Sequence, residues 1–83
     1  MFRVKLSNQA EKFLKKSDKI SQKKAAKSLI LLATNPFLGE KMEGEFQGSY
    51  RIKIPPLRII YTPDFGSKTI WVRAIGHRGE VYK

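Results

Sequence analysis

The sequence predicts an α+β fold, with an N-terminal strand and an antiparallel helical hairpin packed on one face of a mainly antiparallel four-stranded sheet. Three observations predict it. "MFRVKL" alternates apolar and polar residues with period two. Two segments between residues 8 and 34 carry apolar residues at helical spacing, and from Tyr50 onward the apolar runs alternate again. The element order is β-α-α-β-β-β, in one domain spanning residues 1–83.

In the first strand Phe2, Val4 and Leu6 stand against Arg3 and Lys5. Ser7 supplies an N-cap oxygen for the helix "NQAEKFLKK", whose Ala10, Phe13 and Leu14 share a face. The second helix is "ISQKKAAKSLILLAT". Ile20, Ala25 or Ala26, Leu29, Leu32 and Ala33 form its apolar stripe, and Lys23, Lys24 and Lys27 lie mainly away from it. Asn35-Pro36 stops this helix. After the glycine-punctuated "NPFLGEKMEGEFQGS", the strand "YRIKI" sets Tyr50, Ile52 and Ile54 against Arg51 and Lys53. Pro55-Pro56 breaks the run. "LRIIY" follows with Leu57, Ile59 and Tyr61 on one face and Arg58 and Ile60 on the other. "PDFGS" is a turn, "KTIWVRAIG" is the most β-rich run, and "EVY" has the composition of a short extra strand.

Charge narrows the function. Seventeen Lys and Arg against seven Asp and Glu give a formal net charge of +10, on a chain whose 41% hydrophobic content suffices for a core. A folded, strongly basic chain points to a polyanion, usually nucleic acid, or to an acidic protein partner. There is no cysteine and a single histidine, so no metal site is expected and no cofactor is implied. No apolar run reaches the length of a membrane span and no signal peptide is evident, so a cytoplasmic protein without membrane contact is expected.

Period two then decides which basic residues meet. Arg51 and Lys53 share the face of their strand that turns away from the helices, and Arg58 joins them from the next strand. In "IGHRGEVYK" a bend at Gly76 leaves open whether His77 or Arg78 faces the same cleft. Such cations on adjacent strands form a phosphate-sized site, and the planar fork of arginine suits phosphate. Taken singly, each has an ordinary explanation: a solvated strand face for Arg51 and Lys53, an ion pair for Arg58, a core edge for Tyr82, and plain exposure for His77.

In this order and spacing, "SNQAEKFLKK", "NPFLGEKMEGEFQGSYRIKI", "LRIIY" and "IGHRGEVYK" resemble the RelE/ParE superfamily of toxin–antitoxin toxins over the whole chain. The resemblance implies a toxin neutralised by a cognate antitoxin. RelE-like members enter the ribosomal A site and cut mRNA there without metal; ParE-like members inhibit DNA gyrase. Matching motif to motif, the nuclease residues fall on Arg51, Lys53, Arg58, Arg78 and Tyr82, which favours the RelE-like branch. Arg51 stands where the best-known member has lysine. No glutamate matches the one some relatives use as base, for Glu80 lies near that place but not at it.

The implied reaction is attack of a ribose 2′-OH on the adjacent phosphorus, leaving a 2′,3′-cyclic phosphate and releasing a 5′-OH. Arginines stay protonated at neutral pH, so Arg58 and Arg78 are cast as clamps for the transition state's charge. The base is open between Lys53, which needs neighbouring cations to favour its neutral form, and His77. Tyr82 can stack on a base, orient the nucleophile or donate a proton. Two other readings compete: a ParE-like inhibitor of gyrase, and a basic RNA-binding domain without turnover.

Overall fold

Side chains hold the corners on either side of the helices. The computed structural model describes residues 1–77. The first strand, β1 (Arg3–Leu6), turns Val4 and Leu6 toward the helices and Arg3 and Lys5 away. Ser7 ends it and begins helix α1 (Asn8–Lys16). Its hydroxyl oxygen accepts from Ala10 N at 3.1 Å and donates to the Arg73 carbonyl at 2.8 Å, so one residue caps the helix and ties it to the last strand. Ser17 and Asp18 make the corner before helix α2 (Lys19–Thr34), with Asp18 accepting from Ser21 N. The Gln22 amide clasps the corner by donating to the Leu14 and Ser17 carbonyls at 2.7 and 3.1 Å.

Helix α2 begins one residue before the predicted start, and its stripe is narrower than expected. Ala25, Leu32 and Ala33 are buried and Leu29 packs at the core's margin, but Ile20 is 66% exposed. Ile20 lies in the first turn, at the hairpin corner.

The sheet has five strands rather than four, in the order β1-β5-β4-β3-β2. The addition is β2 (Glu40–Lys41), two residues paired antiparallel to β3 (Tyr50–Ile54). A charged dipeptide carries no apolar alternation, so periodicity could not find it. A 3₁₀ turn at Gly44–Phe46 connects the two. Strands β4 (Leu57–Asp64) and β5 (Thr69–His77) complete the antiparallel part, and β1 lies parallel to β5 at the edge. The segment "EVY" and the site candidates Arg78 and Tyr82 lie outside the described residues.

Two devices set where side chains point. Between Ile60/Tyr61 the β4·β5 register shifts: Ile60 pairs with Ala74 but Tyr61 with Val72, so Arg73 is the extra residue of a bulge. Beyond the end of β1, the Gln9 carboxamide takes the place of a strand. It donates to the Ile75 carbonyl at 2.8 Å and accepts from Ile75 N at 3.0 Å. The core between sheet and helices is built from Ala10, Ala25, Leu32, Tyr50, Ile59, Tyr61, Ile70, Val72 and Ile75. Among the described residues no helix is long and apolar enough to cross a membrane.

Candidate functional site

The helix-free face of the sheet gathers cations because the apolar residues of β3 and β4 are committed to the other side. Tyr50, Ile52 and Ile54 on β3, and Ile59 and Tyr61 on β4, belong to the core or pack on it. Alternation therefore sends Arg51, Lys53 and Arg58 to the opposite face. Register brings them together: Lys53 pairs with Arg58 and Arg51 with Ile60. Side chains directly opposite on antiparallel strands have Cβ atoms about 5 Å apart, and like charges so placed are destabilising. A cleft of about 210 Å³ opens here, lined by Lys53, Pro55, Pro56, Leu57 and Arg58.

Arg51 and Arg58 are half-buried and Lys53 is exposed. Arg51 is oriented by a residue that periodicity did not flag. Strand β2 places Glu40 directly across from Arg51, and the Glu40 carboxylate accepts from Arg51 Nη2 at 3.1 Å and Nε at 3.3 Å. Strand β2 is itself held in place by Tyr61. The Tyr61 hydroxyl donates to the Pro36 carbonyl at 2.8 Å and accepts from Gly39 N at 2.9 Å. Only glycine fits at 39, since a Cβ there would lie 2.6 Å from the Arg51 carbonyl oxygen. Burial pushes the Tyr61 phenol above its ordinary range, so it stays a neutral donor and acceptor.

His77 is not brought to this face. The bulge at Arg73 reverses the simple parity of β5, so Ile75 and His77 both turn toward the helices, and His77 pairs with the core-facing Leu57. Its ring meets Phe13 of α1 edge-on, with centroids 5.5 Å apart, and borders a cavity of about 430 Å³ beneath the α1–α2 corner. The choice left open between His77 and Arg78 thus becomes concrete for His77, while Arg78 and Tyr82 fall beyond residue 77. Alternation around the core-facing Val72 puts Arg73 on the helix-free face, where its Nε donates to Thr62 Oγ1 at 3.3 Å and its guanidinium lies over the Trp71 ring. Gln9, Glu40 and Trp71 were all missed as contributors. Gln9 and Glu40 left no local signal, whereas alternation already set Trp71 apart from Ile70 and Val72.

Comparison with known proteins agrees with this fold. The chain matches the RelBE2 toxin–antitoxin complex of Mycobacterium tuberculosis with a TM-score of 0.84 at 19% identity, covering 93% of this chain and 98% of that one. The isolated Escherichia coli RelE toxin gives 0.83 at 22% identity, over 99% of this chain and 92% of that one. The archaeal RelE–RelB complex of Pyrococcus horikoshii gives 0.82 at 25% identity, over 96% and 98%. No match is found among curated protein sequences. The family described as "ParE toxin of type II toxin-antitoxin system, parDE" matches residues 4–82. The chain therefore belongs to the ParE toxin family of type II toxin–antitoxin systems, within the RelE/ParE superfamily.

Proposed function

We propose that this toxin is an endoribonuclease, an mRNA interferase that cuts mRNA in the ribosomal A site in the cytoplasm and blocks translation, and that a cognate antitoxin restrains it. The observation that carries this reading is the direct opposition of Lys53 and Arg58 on the helix-free face, with Arg51 on the same strand as Lys53. A scissile phosphate seated at this pair would be met by a cation from each strand.

In the proposed mechanism Arg58 and Arg51 neutralise the charge that grows on the phosphorane as the 2′-OH attacks. Glu40 keeps Arg51 in a fixed rotamer. Arg78 adds a further clamp, and Tyr82 stacks on or orients the substrate or gives the leaving 5′-oxygen its proton, roles carried by the family resemblance. For the base, Lys53 is favoured over His77, because it lies across from Arg58 while His77 turns to Phe13. The ribosome supplies the aligned substrate, and the antitoxin binds this chain, a partnership supported by its similarity to the toxin–antitoxin complexes of M. tuberculosis and P. horikoshii.

The specific match to ParE toxins favours a second reading, inhibition of DNA gyrase without nuclease activity. The two separate in one experiment. Induced wild-type protein should arrest growth with cleaved transcripts and normal plasmid supercoiling, and Arg58→Ala should abolish both arrest and cleavage. Intact transcripts with blocked supercoiling would establish the gyrase reading instead.

A further inference from the structure

We infer that the helix-free face carries a second RNA subsite, built on Trp71, that takes a nucleobase and adjoining phosphate from the same single strand whose scissile phosphate Arg58 and Lys53 hold. The inference rests on the RNA-cleaving reading above and extends the site across the sheet. Trp71 is flanked on its face by Lys5, its partner across the parallel β1·β5 pair, and by Thr62 across β4. Lys5 Nζ lies 5.5 Å from the indole centroid and Arg73 Cζ 5.7 Å from it. Arg73 shares the helix-free face with Trp71 by alternation around the core-facing Val72, and its Nε donates to Thr62 Oγ1 there.

An aromatic residue packed on a sheet needs no ligand to account for it. Two cations beside it are a different matter. Among the described residues neither Lys5 nor Arg73 pairs with a carboxylate, and both are exposed. Both cations lie over the indole, so a base that stacks on the ring takes the place of one of them. The displaced cation meets the neighbouring phosphate, the pairing of aromatic and cation by which single-stranded RNA is held. An acidic peptide would satisfy the charges and leave the indole without a planar partner, so RNA complements the subsite more fully. The two subsites are separable in space. Thr62 and Arg58 are four residues apart on β4, roughly 13 Å at the usual strand rise, a gap that a short extended stretch of RNA bridges.

Trp71 is the single tryptophan of the chain, so indole fluorescence reports on this subsite alone. The test titrates the full-length protein with a fully 2′-O-methylated single-stranded oligonucleotide, which cannot be cleaved, following indole emission and calorimetric binding in parallel. The expected result is saturable quenching at the calorimetric stoichiometry. An abasic oligomer of equal length should bind without quenching. In the Lys5→Gln, Arg73→Gln double variant, affinity should fall about tenfold at low salt and the salt slope should drop by about two. Unchanged emission at saturating oligonucleotide would overturn the subsite, as would wild-type affinity in the double variant. Equal quenching by polyglutamate would also overturn it, by showing a generic polyanion patch. Quenching without ribosome-dependent cleavage would leave the subsite standing and sink the nuclease reading; cleavage with a silent Trp71 would do the reverse.

Discussion

Glu40 grips Arg51 at two points, its carboxylate accepting from Nη2 at 3.1 Å and from Nε at 3.3 Å across the β2·β3 pair. The Glu40 side chain is 62% exposed, so the pair contributes at most about 1 kcal/mol to stability. Its larger effect is on the site, where it aligns one cation and offsets that cation's charge. Glu40→Gln should leave the melting temperature nearly unchanged, tighten RNA binding a few-fold and steepen its salt dependence. Weaker binding would mean that the alignment matters more than the charge.

Lys53 and Arg58 face each other, and this sets up a trade between stability and function. Lys53→Gln removes a like-charge neighbour, so the fold should be as stable as wild type or more stable by up to about 0.5 kcal/mol. Cleavage by the same variant should fall roughly a hundredfold or more, if Lys53 stabilises or initiates the transition state. Urea denaturation and single-turnover cleavage measure the two halves of this prediction on one preparation.

Tyr61 anchors the approach to β2, its hydroxyl bonding the buried Pro36 carbonyl and the half-buried Gly39 N. Tyr61→Phe orphans Gly39 N and the Pro36 carbonyl, which should cost about 1 to 3 kcal/mol. Gly39→Ala should be destabilising as well, because its Cβ meets the Arg51 carbonyl and the Tyr61 ring. In both variants β2 should loosen, so the Glu40 amide should lose protection from hydrogen exchange before the amides of β4 do.

Asp64 closes the β4–β5 turn by accepting from Gly66 N at 3.0 Å and Ser67 N at 3.2 Å. The Ser67 backbone bond, chiefly, holds its carboxyl below the ordinary aspartate range. As pH falls, the unfolded chain takes up this proton first. The stabilisation is therefore complete above the unfolded value of about 3.9 and is lost as pH drops through the lower folded value. Asp64→Ala should be less stable than wild type at pH 7, and thermal melts should show that gap closing in acid.

His77 packs on Phe13 at the α1 face. His77→Phe keeps an aromatic ring against Phe13 and should preserve both fold and cleavage. His77→Ala should lose about 1 kcal/mol of packing. A rate loss in His77→Phe, with a matching change in the pH profile near neutrality, would instead make His77 the base.

The parts legible from sequence were those governed by short-range rules. Ser7, the α1 boundaries and the face occupied by Arg51, Lys53 and Arg58 all follow from capping or alternation. The parts that escaped depend on contacts distant in sequence. Strand β2 exists because Tyr61, 22 residues away, holds Gly39 against the sheet. His77 faces the helices because a bulge opposite Ile60/Tyr61 inserts Arg73, and a bulge leaves no periodic trace. Gln9 acts as a strand surrogate for Ile75 across 66 residues, a role no local pattern encodes.

The most direct test of the nuclease reading is primer extension on a defined mRNA bound to ribosomes stalled with an empty A site. Wild-type protein is compared with Arg58→Ala, and naked mRNA serves as control. The account predicts a cut within the A-site codon that requires both the ribosome and Arg58. Intact mRNA with folded wild-type protein, or an undiminished cut with folded Arg58→Ala, would contradict it.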